Sequence, residues 1–113
     1  MRSQPLDRIF VALADPGRRS MVEQLSNGPA TVKELAKPAK MQLPSAVKHL
    51  KVLEDGGIVI SRKVGRTRTY KIRPAAFFRV INEWVRQREA AMNAAFDRLV
   101  QAMHDISEEE SKT

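Results

Sequence analysis

Residues 43–73 read LPSAVKHLKVLEDGGIVISRKVGRTRTYKIR, and two different periodicities meet in this stretch. Val47, Leu50 and Leu53 recur at helical spacing and predict an amphipathic helix from about Leu43 to Asp55, with those three residues on its buried side. Gly56-Gly57 ends it. Past the glycines, Ile58 to Val64 and Thr67 to Ile72 are rich in β-branched residues that alternate with basic ones, and Gly65-Arg66 lies between them, the signature of a β-hairpin. Between Gly57 and Arg73 stand six basic residues (Arg62, Lys63, Arg66, Arg68, Lys71 and Arg73) and no acidic one.

Upstream, Thr31-Val32-Lys33-Glu34 is a capping box, with threonine at the N-cap and glutamate three residues on. It opens a short helix carrying Val32, Leu35 and Ala36, which Pro38 limits. Two short helices joined by a tight turn make a helix-turn-helix, and a hairpin directly after the second helix is a wing. Leu6, Ile9, Phe10 and Leu13 predict a first helix over Pro5–Ala14. Asp15-Pro16 stops it and starts another, since aspartate is a good N-cap and proline suits the first helical position. Met21, Val22 and Leu25 form the inner face of that second helix, which Asn27-Gly28-Pro29 closes. From Pro74 the helical period returns in Phe77, Ile81, Trp84, Val85, Met92, Ala95, Phe96, Leu99 and Met103, giving one long helix that ends near Ile106. The polar, acidic stretch Ser107–Thr113 is expected to fray. The expected fold is mainly α with a small β-hairpin, a winged helix-turn-helix domain over residues 1–106 and a tail over 107–113. No internal repeat or low-complexity segment interrupts it.

The chain has 113 residues, a net charge of +7 and no cysteine. This length fits one domain. Lack of cysteine removes disulfides, thiolate metal sites and cysteine nucleophiles. No apolar run approaches the roughly 20 residues needed to cross a bilayer, and no signal-peptide pattern follows Met1, so a cytoplasmic, nucleoid-associated protein is expected. The basic excess points to a polyanion, nucleic acid before anionic membrane. Residues 42–73, less than a third of the chain, carry eight Lys or Arg against Glu54 and Asp55, and so hold six of the seven net positive charges.

The second helix of the helix-turn-helix has the size to lie in a major groove. Its outward positions are read as Gln42, Ser45, Ala46, Lys48, His49 and Lys51. Small residues allow close approach, Gln and Ser reach base edges, and Lys reaches guanine or phosphate. On that helix alone, a solvated polar face is an equal reading. The wing tips the balance toward double-stranded DNA, with Arg62, Lys63, Arg66, Thr67 and Arg68 placed on phosphate or in a minor groove. A solvated edge hairpin guarded by Lys and Arg is its competing reading. Arg18 and Arg19 either touch phosphate or hold the fold through Asp15 or Glu23. A winged helix used for protein–protein contacts is the alternative for the whole chain, and its wing has no need of six cations without an acid.

Three segments resemble the ArsR/SmtB-type repressor family. Phe10-Val11-Ala12-Leu13-Ala14-Asp15-Pro16-Gly17-Arg18-Arg19 is similar to the family's "ALADPTRR" opening. Leu43-Pro44-Ser45-Ala46-Val47-Lys48-His49-Leu50-Lys51-Val52-Leu53-Glu54 resembles its recognition helix, and Gly65-Arg66-Thr67-Arg68-Thr69-Tyr70 its wing tip and returning strand. The match runs from about residue 6 to 85, and is closest to the cysteine-free branch that includes autorepressors. Gln42 stands where the family often has Ser, Gly17 replaces the common Thr, and Pro38 shortens the preceding helix. The resemblance implies a homodimer built by the first and last helices and bound to an inverted repeat near a promoter, often the protein's own. Leu6, Ile9 and Phe10 from the first helix, with Trp84, Met92, Phe96, Leu99 and Met103 from the last, are the expected interface. The long apolar face of the last helix independently calls for a partner.

Many members of that family sense metals, either through cysteines on the third helix or through Asp and His pairs on the last. Here the third helix reads Glu34-Leu35-Ala36-Lys37-Pro38. The last offers Asp97, His104, Asp105 and Glu108 without a pair of histidines, so no metal and no cofactor is expected. With two histidines in all and no glycine-rich phosphate loop, no catalytic constellation is present and no enzyme is expected. The sequence names no effector.

Overall fold

The structure, a computed structural model, describes residues 5–112, with the side chains of residues 76 and 77 outside the described set. Phe77 and Thr113, both used in the sequence reading, therefore lie outside the described residues. The elements in chain order are α1 (Pro5–Leu13), α2 (Pro16–Leu25), β1 (Ala30–Thr31), α3 (Val32–Ala36), α4 (Leu43–Asp55), β2 (Val59–Val64), β3 (Thr67–Ile72) and α5 (Pro74–Ser111). The chain divides into two units, Met1–Val80 and Ile81–Thr113.

The helix starts form as the sequence dictates. Asp15 has extended backbone and accepts the Arg18 amide at 3.0 Å, with Pro16 in the first turn. Thr31 makes both halves of the capping box: its hydroxyl accepts the Glu34 amide, and its own amide donates to the Glu34 carboxylate at 3.0 Å. The Thr31 amide, helped by its hydroxyl, holds the Glu34 carboxyl below the usual glutamate range. Thr31→Ala removes the cap on a helix of only five residues. It is expected to cost about 1 kcal/mol, read as a lower urea midpoint at unchanged m-value.

The sheet holds one strand more than the hairpin. Ala30 pairs with Tyr70 and Thr31 with Thr69, so the antiparallel order is β1-β3-β2. A two-residue strand is too short to leave a periodic signal. Its effect is large all the same, because the residue that caps α3 also pairs with the returning strand of the wing. The hairpin itself keeps the expected register, from Val59↔Ile72 to Val64↔Thr67, around a turn with Gly65 at φ 63°. A positive φ at the first central residue is what a type II′ turn demands.

The core of the first unit lies where α1 to α4 and the base of the hairpin meet. Met21, Leu35, Leu50, Leu53, Ile58 and Val59 are fully buried there, and no polar side chain is buried among the described residues. Two expectations about α4 are corrected. Ala46 is 0% exposed, whereas Val47 is 48% exposed. Positions 46, 50 and 53 step by four and three and stay on one stripe, while three-residue steps from Val47 drift by about 60° each. Ile9 is also corrected: at 3% exposed it belongs to the core of its own chain and is not free for a partner, whereas Phe10 beside it is 45% exposed.

α5 continues to Ser111, five residues past the expected end at Ile106. Residues 107–111 are helical rather than frayed; glutamate is a good helix former and three of them lie in this stretch. In the second unit the helix leaves Val85, Met92, Phe96, Leu99, Met103 and Ile106 exposed. Among the described residues no helix is long and apolar enough to cross a membrane.

Candidate nucleic-acid interface

The N-terminal half of α4 presents Gln42, Ser45, Val47 and Lys48 as exposed positions, and Lys51 follows one turn later. Gln42 occupies the N-cap with extended backbone and makes no side-chain cap bond, so its amide group is not consumed by the helix end. Pro44 sits in the first turn, where its missing N–H costs nothing. The turn that aims this helix contains no glycine: Lys40 takes φ 53°, and the Met41 amide donates to the Ala36 carbonyl at 3.1 Å.

His49 does not share the outward face. It is half-buried, with Nδ1 3.2 Å from a terminal nitrogen of Arg18 and 3.9 Å from the Asp15 carboxylate. Arg18 also donates to the Ala12 carbonyl at 2.6 Å and to the Val11 carbonyl at 3.1 Å, and Arg19 donates to Leu13 at 2.6 Å. These two arginines therefore satisfy carbonyls at the C-terminal end of α1, where Val11 also accepts the Ala14 amide at 3.3 Å. They hold the fold, though through α1 rather than through the carboxylates suggested by the sequence. The Arg18 amide, with lesser help from the charges of His49 and Arg18, keeps Asp15 below the ordinary aspartate range. Through this cluster the end of α1, the start of α2 and the middle of α4 are fixed together. Gly17 belongs to the same packing: a Cβ there would stand 2.5 Å from the Met41 methyl and 2.9 Å from the Asp15 carboxylate. Threonine at this position would displace the cap.

The pleat divides the wing's cations, which the sequence treated as equivalent. Val59, Ser61 and Lys63 share one face with Tyr70 and Arg68; Ile60, Arg62 and Val64 share the other with Thr67, Thr69 and Lys71. Val59 and Tyr70 are buried, so the first face turns toward the helices. Burial also pushes the Tyr70 hydroxyl above its ordinary value. Lys63 and Arg68 extend this inner face beyond the core, and Arg66 occupies the turn. Arg68 donates to Ser61 Oγ at 2.7 Å, which fixes its stem along the hairpin. Arg66, Thr67 and Arg68 line, with Val47 of α4 and with Val32 and Lys33 of α3, a groove of about 630 Å³. The site thus gathers residues from the helix-turn-helix and from the wing around one opening. Arg62 lies on the opposite face of the hairpin. Val32, Lys33 and Val47 are groove positions that the sequence reading missed, Val47 because helical periodicity alone gave it to the core.

On α5, His104 stands 3.3 Å from Glu108 one turn on, and no group of three or more potential metal ligands occurs among the described residues.

A family model for a helix-turn-helix domain matches residues 13–62. The chain is 43% identical over 68 residues to the HTH-type transcriptional regulator Rv2034 of Mycobacterium tuberculosis, a match covering 60% of this chain and 64% of that protein. It therefore spans less than two thirds of that regulator's length. Among solved structures, the ArsR family transcriptional regulator RHA00566 is similar at a TM-score of 0.71 and 47% identity, over 79% of this chain and 98% of that one. The homodimeric winged helix-turn-helix DNA-binding domain Mb0332 of Mycobacterium bovis (fragment 1–100), a possible ArsR-family regulator, is similar at a TM-score of 0.61 and 26% identity, over 76% and 82%.

Proposed function

The chain belongs to the ArsR family of winged helix-turn-helix transcriptional regulators, and on that premise we propose that it binds double-stranded DNA as a homodimer and represses transcription by occupying an operator that overlaps a promoter. The observation that carries this reading is the groove that Val47 of α4 shares with Arg66 and Arg68 of the wing, beside the exposed Gln42, Ser45 and Lys48 of the same helix. A helix presenting Gln42, Ser45 and Lys48 offers donors and acceptors to base edges, while Lys63, Arg66 and Arg68 offer point charges to the flanking phosphates. Lys51 lies toward the phosphate end of the helix. Arg62 and Thr67 contribute from the outer face or the tip. His49 acts indirectly, as the contact through which Arg18 and Asp15 orient the reading helix.

The dimer is built on α5. Its exposed apolar residues at 85, 92, 96, 99, 103 and 106 follow the alternating four- and three-residue steps of a helix–helix seam, broken by the polar residues Asn82 and Glu89. Trp84 flanks this seam, with the Arg88 guanidinium 5.3 Å from its ring centre. A two-fold dimer sets its two reading helices about one turn of DNA apart, so the operator is an inverted repeat.

Titration of the purified protein against the DNA upstream of its own gene and against random duplex, over a salt series, tests the proposal. The expected result is salt-dependent binding that favours the upstream DNA by roughly a hundredfold or more. Failure to bind any duplex at low salt overturns it.

A further inference from the structure

Resting on the DNA-binding reading above, we infer that Val47, with Leu43 one turn before it, reads the C5-methyl group of a thymine and so sets part of the operator's sequence. Val47 stands outside the buried stripe of its own helix. The inward stripe of α4 is Ala46, Leu50 and Leu53, and Val47 stands about 100° around the helix from Ala46 with nearly half of its surface in solvent. Leu43 is 42% exposed, on the same flank. A β-branched residue is also an indifferent choice for an exposed helix position, where Ala, Lys or Glu fits better. An aliphatic strip at the start of α4 therefore wants an explanation outside the fold.

Its surroundings say what meets it. Lys48 is its neighbour on the helix, and Arg66, Arg68 and Lys33 line the groove into which Val47 opens. Apolar side chains ringed by cations do not suit a protein or lipid core, but they suit a polyanion whose charged strands flank an uncharged floor. In the major groove that floor consists of hydrogen-bonding edges and one apolar group, the methyl of thymine. Valine has nothing to offer a donor or an acceptor. Facing base edges without a methyl, it would leave their polar atoms dry and unpaired. The methyl is the only feature of the groove that it can recognise with profit. Gln42, Ser45 and Lys48 then read the hydrogen-bonding edges on either side, and Val47 separates thymine from cytosine on a pyrimidine strand.

The test uses duplexes selected by the full-length protein from a random pool, with each thymine of a half-site replaced singly by deoxyuridine. That change deletes the methyl and leaves the pairing intact. At one or two positions per half-site the protein is expected to bind deoxyuridine roughly fourfold more weakly, the worth of one buried methyl. Val47→Ala, which keeps the helix, is expected to bind thymine and deoxyuridine equally at those positions. The inference is overturned if no deoxyuridine weakens binding, or if the penalty survives in Val47→Ala. If no duplex is selected at all, the DNA-binding reading falls first and this one with it.

Discussion

Replacing Arg66 and Arg68 together by alanine is expected to weaken duplex binding on the order of a thousandfold at about 0.1 M salt and to flatten the salt dependence, while leaving the fold intact. Each cation on a phosphate contributes about 0.9 to the slope of log K against log salt. A dimer would lose two such contacts from each wing, so the slope should fall by roughly three to four. The loss should be nearly the same for the operator and for random duplex, because phosphates carry no sequence. Stability should hardly change. Both arginines are exposed, the hairpin is held by its backbone register and by the buried Val59 and Tyr70, and the one bond lost is from Arg68 to Ser61. Arg62→Ala is the internal comparison, since Arg62 lies on the other face of the hairpin, and its effect should be much smaller. A double variant that binds weakly with an unchanged salt slope would show that the arginines shape the wing rather than meet phosphate. One that loses only the operator would make them base readers.

Much of the fold was legible because its signals are local. Asp15-Pro16, the Thr31 and Glu34 box and Gly56-Gly57 each place a boundary through bonds made within a few residues, and each boundary falls where the chemistry put it. The hairpin was legible from alternation. The features that escaped depend on partners remote in sequence. β1 is visible only once β3 lies beside it. The burial of Ala46 in place of Val47 depends on how α4 rotates against the rest of the core, and both residues are small and apolar, so the pattern allows either phase. Lys40 adopts a backbone angle usually left to glycine, and nothing about lysine announces it. Arg18 and Arg19 were recognised as candidates, but their acceptors are carbonyls six and seven residues back, on a helix that must first fold against theirs. The candidate interface shows the same division. Its charges were readable from composition. Which of them share a face was not, because that requires the register of the pleat and the orientation of the hairpin over α3 and α4.

Leu99→Glu combined with Met103→Glu is expected to convert the dimer to monomers at micromolar concentration and to reduce operator affinity by a hundredfold or more. Both side chains are exposed in the single chain, so the substitutions add no buried charge within it and should leave helicity unchanged. In a dimer they would set four carboxylates against an apolar seam, each desolvated without a partner. Six large apolar side chains from each protomer, each still about half exposed or more in the single chain, offer a burial gain of the same order as the roughly 4–15 kcal/mol that association costs. Loss of the dimer then makes the two half-sites independent, which removes the roughly 10²- to 10⁴-fold gain from linked binding. In the proposed dimer, charge would favour one direction of the pairing. Arg79, Arg86 and Arg88 outnumber Glu83 and Glu89 toward one end of the helix, and Asp97, Asp105, Glu108, Glu109 and Glu110 outnumber Arg98 and Lys112 toward the other, so antiparallel helices would bring the opposite net charges together. The absence of cysteine from the chain makes this directly measurable. Phe96→Cys, at the middle of the seam, should form a disulfide with its own copy. Ile106→Cys alone should not, but should join readily to Val85→Cys. Self-linkage at Ile106→Cys would mean parallel helices. A glutamate double variant that still sediments as a dimer would move the interface away from α5, while one that is monomeric yet binds the inverted repeat with full affinity would show that the dimer is not what the operator reads.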